Sequence, residues 1–316
     1  MPLNVGALAA LGTALAWTVT AIVFEYAGKR IGALVLNLLR LALGCFFLGI
    51  YGLFVHGRFF PIDAAITSWA WLGASGLVGF VIGDLLLFQA YIDIGARLSV
   101  LVYATAPIFT ALLGLAAFGE RLSLLGLGGM ALTLMGIAIV VLSKKSEEEG
   151  VRGAAGFWSS RRLRGALLAL GGAIGQAGGL ILAKLGATTN PSGGGAGGLA
   201  SINPFAGTQI RVIAGLLGFA LVITASGSWR GVVKGLKDLK AVASLGAGAF
   251  FGPFLGVSLS LLAVQSGNTG VVSAIMSIVP VLIIAPSAIF FRERVTLCEI
   301  FGSIVAVGGV FLLFLA

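Results

Sequence analysis

The chain contains a copy of itself. Pro107, Phe118, Glu120, Arg121, Gly129 and Gly136 recur as Pro280, Phe291, Glu293, Arg294, Gly302 and Gly309, at a constant offset of 173 (280 − 107). Earlier, Gly6–Trp17 returns as Gly165–Gln176 at an offset of 159 (165 − 6). Arg40 and Gly44 return as Arg211 and Gly215 at an offset of 171 (211 − 40). An insertion in the glycine run around Pro191–Leu199 accounts for most of the drift. Internal duplication at this scale, in an apolar chain, points to a transporter architecture.

The solvent for most of this chain is lipid. Apolar residues make up 59% of it, charged residues 10%, and the mean hydropathy is +1.10. A soluble domain carries about 25% charged residues. A crossing helix needs about 20 apolar residues. Ten such runs can be read, near residues 5–27, 33–55, 70–92, 97–118, 122–143, 165–186, 204–226, 242–266, 270–291 and 297–316. The fold class expected is therefore an all-α integral membrane protein of ten transmembrane helices. Residues 1–149 form one five-span repeat, 150–164 a charged linker and 165–316 a second repeat. Five is odd, so the second repeat enters from the opposite face and lies inverted relative to the first.

The 49 glycines fit close helix packing. Gly171, Gly175 and Gly179, and likewise Gly248, Gly252 and Gly256, form double GxxxG patterns; Gly79 and Gly83 form a single one. The net charge of +9 lies mostly in loops, where it orients the chain rather than binding nucleic acid. Fifteen of the 20 Lys and Arg fall on the face opposite the first residue, and only Arg58, Arg121 and Lys184 on the near face. The positive-inside rule then puts both ends of the chain outside. His56 is the only histidine, and Cys45 and Cys298 fall in apolar runs, so neither a metal site nor a disulfide framework nor any cofactor is expected.

The segments APIFTALLGLAAFGERLS (Ala106–Ser123) and VPVLIIAPSAIFFRERVT (Val279–Thr296) are degenerate copies, supported by NLLRLALG (Asn37–Gly44), TQIRVIAG (Thr208–Gly215) and ILAKLGA (Ile181–Ala187). In order and spacing they resemble the two EamA-type repeats of the drug/metabolite transporter superfamily, over nearly the whole chain. The resemblance implies export of small metabolites such as amino acids by alternating access, by a monomer, in a bacterial-type inner (plasma) membrane. It also implies cytoplasmic termini, against the loop-charge count, and both orientations stay open. The partners implied are a small-molecule substrate, protons and membrane lipid.

Ionisable side chains within spans are costly and mark function. Asp84 lies about fourteen residues into the third run, while Arg40 and Arg211 lie some seven residues into the second and seventh. The arginines can clamp an anionic substrate group or tie helices together. Asp84 has Val257 as its equivalent (84 + 173), so it breaks the internal symmetry. It can carry a proton, hold a substrate amine or form a static ion pair. Helical spacing sets Phe80, Asp84 and Phe88 on one face, Tyr103 beside Pro107, and Met276 as the equivalent of Tyr103. Trp17 has Gln176 as its equivalent. Pro107 and Pro280, at equivalent places, are expected to kink their helices as gates. Glu120 and Glu293 are expected to face the positive start of the next helix in sequence, and Lys184 to lie at the interface. Two other functions compete with a carrier, a passive channel and a membrane-embedded enzyme. No HExxH, GxSxG, histidine cluster or partnered carboxylate pair favours the latter, and no phosphate loop points to ATP as the driver.

Overall fold

The structure is a computed structural model and describes residues 5–94, 99, 102–149, 160–188, 201–284, 286 and 296–315. The glycine insertion at 191–199, residues 150–159 of the linker, and Phe291, Glu293 and Arg294 lie outside the described residues. Among the described residues there is no strand. Among the described residues seven helical runs are long and apolar enough to cross a bilayer: Val5–Ile31, Ala33–His56, Ile66–Tyr91, Leu163–Thr188, Pro204–Ala225, Leu239–Ser266 and Leu297–Leu315. Three shorter apolar helical runs, Ala106–Phe118, Leu124–Ile139 and Thr269–Leu282, the last interrupted at Ser277–Ile278, occupy the remaining expected runs. Large apolar side chains such as Phe54, Ile66, Leu124 and Leu297 point outward at more than 80% exposure, as a lipid-facing surface requires.

In chain order the first repeat holds α1 (Val5–Ile31), α2 (Ala33–His56), α3 (Ile66–Gly76), α4 (Leu85–Ile94), α5 (Ala106–Phe118) and α6 (Leu124–Glu149). The second holds α7 (Ser160–Thr188), α8 (Pro204–Ala225), α9 (Trp229–Leu236), α10 (Leu239–Ala249), α11 (Val257–Ser266), α12 (Thr269–Met276), α13 (Val279–Leu282) and α14 (Leu297–Leu315). Only Gly32 separates α1 from α2; its φ of +81° is open to glycine at little cost. Outside the apolar runs, the Arg30 Nε at the end of α1 donates to Asp238 Oδ2 at 2.8 Å. That bond, with the Ala241 N–H, holds the Asp238 carboxyl below the usual carboxylate range.

Two pairs of equivalent helices, α2 with α8 and α6 with α14, pack against each other antiparallel. Late in α2, Tyr51 stacks on Phe205 near the start of α8, with centroids 4.2 Å apart. Early in α2, Leu41 lies so close to Gly215 that a Cβ there would meet its Cδ1 at 3.1 Å. In α6 and α14 the four duplicated glycines form one contact. Gly129 faces Gly309 and Gly136 faces Gly302: a Cβ at Gly309 would lie 2.7 Å from Gly129 O, and one at Gly136 2.6 Å from Gly302 O. This is the geometry of an inverted repeat.

Between α3 and α4 the helix widens into a π-helical stretch, Leu77–Asp84. A second π stretch, Phe250–Gly256, joins α10 to α11 at the equivalent place (77 + 173 = 250). Pro253 has no N–H to donate and disrupts the second ladder. The first has no proline, so what the two share is the glycine pair, Gly79/Gly83 and Gly252/Gly256. These glycines let the π stretches cross the other repeat. A Cβ at Gly175 of α7 would lie 2.7 Å from Gly83 Cα, and one at Gly179 would lie 2.8 Å from Gly79 Cα. Correspondingly, Gly256 packs under Trp17 and Gly252 under Thr20 of α1.

The expected proline kinks take a different form. Pro107 and Pro280 do not sit inside helices but in the first turn of α5 and α13. There a missing N–H is no loss and the fixed φ favours helix initiation. The break precedes each proline, at Ala104–Thr105 and at Ser277–Ile278. Even its tight hydrogen bonds are duplicated: Ile108 N donates to Thr105 O at 3.0 Å, and Val281 N to Ile278 O at 2.8 Å.

Candidate functional site

The helix breaks and π stretches surround one cavity of about 150 Å³ where the two repeats meet. Nine of the eleven residues singled out above line it: Trp17, Arg40, Phe80, Asp84, Phe88, Tyr103, Gln176, Met276 and Pro280. Pro107 and Arg211 do not line it. Pro107 is buried at the start of α5, and Arg211 lies behind Phe80. Thr20, Phe24, Tyr91, Ser273 and Ser277 complete the wall. The stripe Phe80, Asp84, Phe88 and Tyr91 reaches the cavity despite the π stretch. Gly76, one turn before Phe80, instead packs on the backbone of Arg211.

Arg40 is the centre of the wall. It is 7% exposed and forms an ion pair with Asp84. Its Nε donates to Asn37 Oδ1 at 2.8 Å, and the Asn37 amide is itself oriented by a 3.0 Å bond to Ala33 O. The guanidinium lies within 5.3–6.0 Å of the ring centres of Phe24, Phe80 and Phe88. Such rings favour a desolvated cation over their faces. Asp84 is thus satisfied by a partner within its own repeat. A carboxylate beside an aromatic-lined cavity can still exchange that partner for a proton or a substrate ammonium.

Sequence reasoning missed a second polar cluster at one end of the bundle. Gly119, at φ +66°, ends α5 with the N–H of Glu120 returning to Gly114 O at 3.3 Å. The Glu120 side chain is then carried across the repeat boundary. It accepts from the Thr269 N–H at 2.7 Å and the Thr269 hydroxyl at 2.6 Å, at the start of α12, and pairs with Lys184 near the end of α7. Lys184 also donates to Gly267 O at 2.8 Å. Glu120 does face a positive helix start, but that of α12 rather than of α6, the next helix in sequence. Lys184 is largely buried in this cluster rather than interfacial. One further wall of contact links α5 to α12, where Thr110 Oγ1 lies 3.2 Å from Ser273 Oγ.

A larger cavity of about 280 Å³ lies between the end of α2 and the start of α8, bordered by Tyr51, His56, Arg58, Asp63 and Gln209. None of the expected site residues lines it. Among the described residues no group of three or more His, Cys, Asp or Glu could hold a metal ion.

A bundle of apolar helices with internal repeats packed antiparallel about a charged cavity is a multi-pass membrane protein. The family model of the EamA-like transporter family matches residues 4–142 and again 163–315, and the chain belongs to that family. Its members are membrane transporters of the drug/metabolite transporter superfamily. A comparison with curated proteins finds no match. Among 22 matching solved chains, one crystal structure aligns over 97% of this chain and 95% of its own, with a TM-score of 0.70 at 16% identity. That likeness shows a shared fold.

Proposed function

We propose that this chain is a secondary active transporter of ten spans, five in each inverted repeat, that exports a small metabolite such as an amino acid. Alternating access takes place about the cavity, with the helix breaks before Pro107 and Pro280 as its hinges and Asp84 as the proton-coupling group. The observation that carries this reading is the cavity's place. Residues of both repeats line it, and a buried ion pair stands in its wall beside duplicated helix breaks. Broken helices at a repeat interface are where transporters of inverted-repeat build hold their substrates. Aromatic rings and the polar side chains Gln176, Ser273 and Ser277 suit a small amphipathic solute.

Proteoliposomes decide between a carrier and a channel. A carrier gives saturable counterflow of labelled amino acids against internal unlabelled substrate; flux that never saturates and follows the membrane potential overturns it. Within the carrier reading, Asp84→Asn is expected to abolish accumulation driven by a pH gradient while sparing exchange. A variant that still concentrates substrate removes Asp84 from the coupling role.

A further inference from the structure

Arg40 and Arg211 are repeat equivalents that have come to differ through two substitutions. Arg40 Nε donates to Asn37 Oδ1 and its Nη2 pairs with Asp84. The equivalents of those two partners are Thr208 (37 + 171) and Val257 (84 + 173). Threonine lacks the reach of asparagine, and valine accepts nothing. The Arg211 atoms left without a hydrogen-bond partner among the described residues are Nε and Nη1, and Thr208 Oγ1 is left without one too. Both residues are buried, Arg211 at 3% exposure and Thr208 at 0%. They stand three residues apart on α8, and so share a face. These are polar atoms on one buried surface that the protein itself does not satisfy.

The charge is unsatisfied as well. Arg40 and Arg211 both lie against Phe80, with ring centres 6.0 and 5.0 Å away, and Asp84 is the carboxylate within electrostatic reach of both. Two guanidiniums and one carboxylate leave one positive charge. A ring face offsets only a small part of the cost of a desolvated cation. We propose that Arg211, with the Thr208 hydroxyl, is a binding site for a singly charged anion, which takes the place that Asn37 and Asp84 fill at Arg40. The proposal rests on the cavity being the transport site and names the class of ligand: a metabolite carboxylate or an inorganic monoanion, not a polyamine-like cation. Phe80 lines the cavity on one side and covers Arg211 on the other, so movement of its ring admits the anion.

The test uses the full chain in lipid nanodiscs, with the unfolding midpoint read by tryptophan fluorescence. Sodium chloride or sodium acetate replaces sodium 2-(N-morpholino)ethanesulfonate, which is neither a carboxylate nor an inorganic anion, at constant ionic strength. The wild type is expected to gain about 2 °C or more, saturably. Arg211→Gln is expected to gain nothing, yet to melt no lower than wild type in the sulfonate, because it has lost a buried unpaired charge. Thr208→Asn restores the internal acceptor of the first repeat and is expected to weaken the anion response several-fold. Stabilisation by chloride alone assigns an inorganic co-ion; stabilisation by acetate, alone or in competition with chloride, assigns a carboxylate. An equal response in wild type and Arg211→Gln, or no saturable response to either anion, overturns the proposal. This readout needs no transport, so its failure leaves counterflow as the separate test of the carrier.

Discussion

Arg40 and Arg211 stand at the same step of equivalent helices, each seven residues beyond the start of α2 or α8. One is ion-paired, hydrogen-bonded and surrounded by aromatic rings. Among the described residues the other keeps a single ring and two unpartnered nitrogens. The contrast extends to the cavity. Its first-repeat wall carries Trp17, Arg40, Asp84 and Tyr103, whereas the second repeat contributes Gln176, Ser273, Met276 and Ser277, none of them charged. What both repeats retain is architectural: the π stretches, the helix breaks and the glycine crossings. On the alternating-access reading proposed above, two halves that exchange conformations must share their hinges, but a single central site needs its charge chemistry only once. On that reading, duplication preserves the hinges while the residues around the cavity diverge.

The sharpest way to break this comparison is to remove Arg40. Arg40→Gln leaves Asp84 buried without its ion-pair partner, an effect of about 3–5 kcal/mol on stability. Replacing the pair together, with Arg40→Leu and Asp84→Leu, removes both desolvation costs and is expected to be milder than Arg40→Gln alone. Chemical unfolding in detergent measures both. If Arg40→Gln is as benign as Arg211→Gln, the two arginines are equivalent scaffold and the asymmetry has no energetic content.

Much of this was legible in the sequence, because apolar helices impose short periods that a reader can follow. The stripe Phe80, Asp84, Phe88 reached the cavity because a spacing of four stays on one face in an α-helix and nearly so in a π stretch. The GxxxG crossings were legible because only close backbones require such patterns. The π stretches themselves left no mark in hydropathy, since one widened turn changes no residue's polarity. The placing of the helix breaks was misjudged because a proline in an apolar run looks the same whether it interrupts a helix or begins one. Glu120 was misassigned for a different reason: its partner Thr269 is 149 residues away, and only tertiary packing brings them together. The loss of partners at Arg211 was visible in the paired motifs NLLR and TQIR, three residues before each arginine. It acquires meaning only once Arg40 is seen to donate to Asn37.

The Glu120 cluster extends the comparison to the join between the repeats. Glu120 belongs to the first, while Lys184 and Thr269 belong to the second, so opening that end of the bundle must break bonds between halves. Glu120→Gln keeps the shape and removes the charge, a loss of about 1–3 kcal/mol for a largely buried group with several donors. With Cys45 and Cys298 replaced, a cysteine at Ser273 reports the opening. It is expected to react faster with a membrane-impermeant maleimide in the Glu120→Gln background, from the face where α12 begins. An unchanged rate would mean that the cluster fastens the fold without gating it.

The smallest expected effect separates the two glycine crossings. At Gly175 an added Cβ meets Gly83 Cα at 2.7 Å, a backbone atom of a packed helix, so α7 must move away from the first π stretch. At Gly252 the nearest atom is the Thr20 Cγ2 at 3.1 Å, a side-chain end that needs to yield only slightly. Overpacking of the first kind costs about 1–3 kcal/mol, more than the roughly 1 kcal/mol that alanine gains over glycine in a helix. At Gly252 that gain offsets most of the crowding. Gly175→Ala is therefore expected to lower the unfolding midpoint and Gly252→Ala to leave it nearly unchanged. Equal losses would show that the two crossings bear the same load, and would confine the divergence between the repeats to the residues around the arginines.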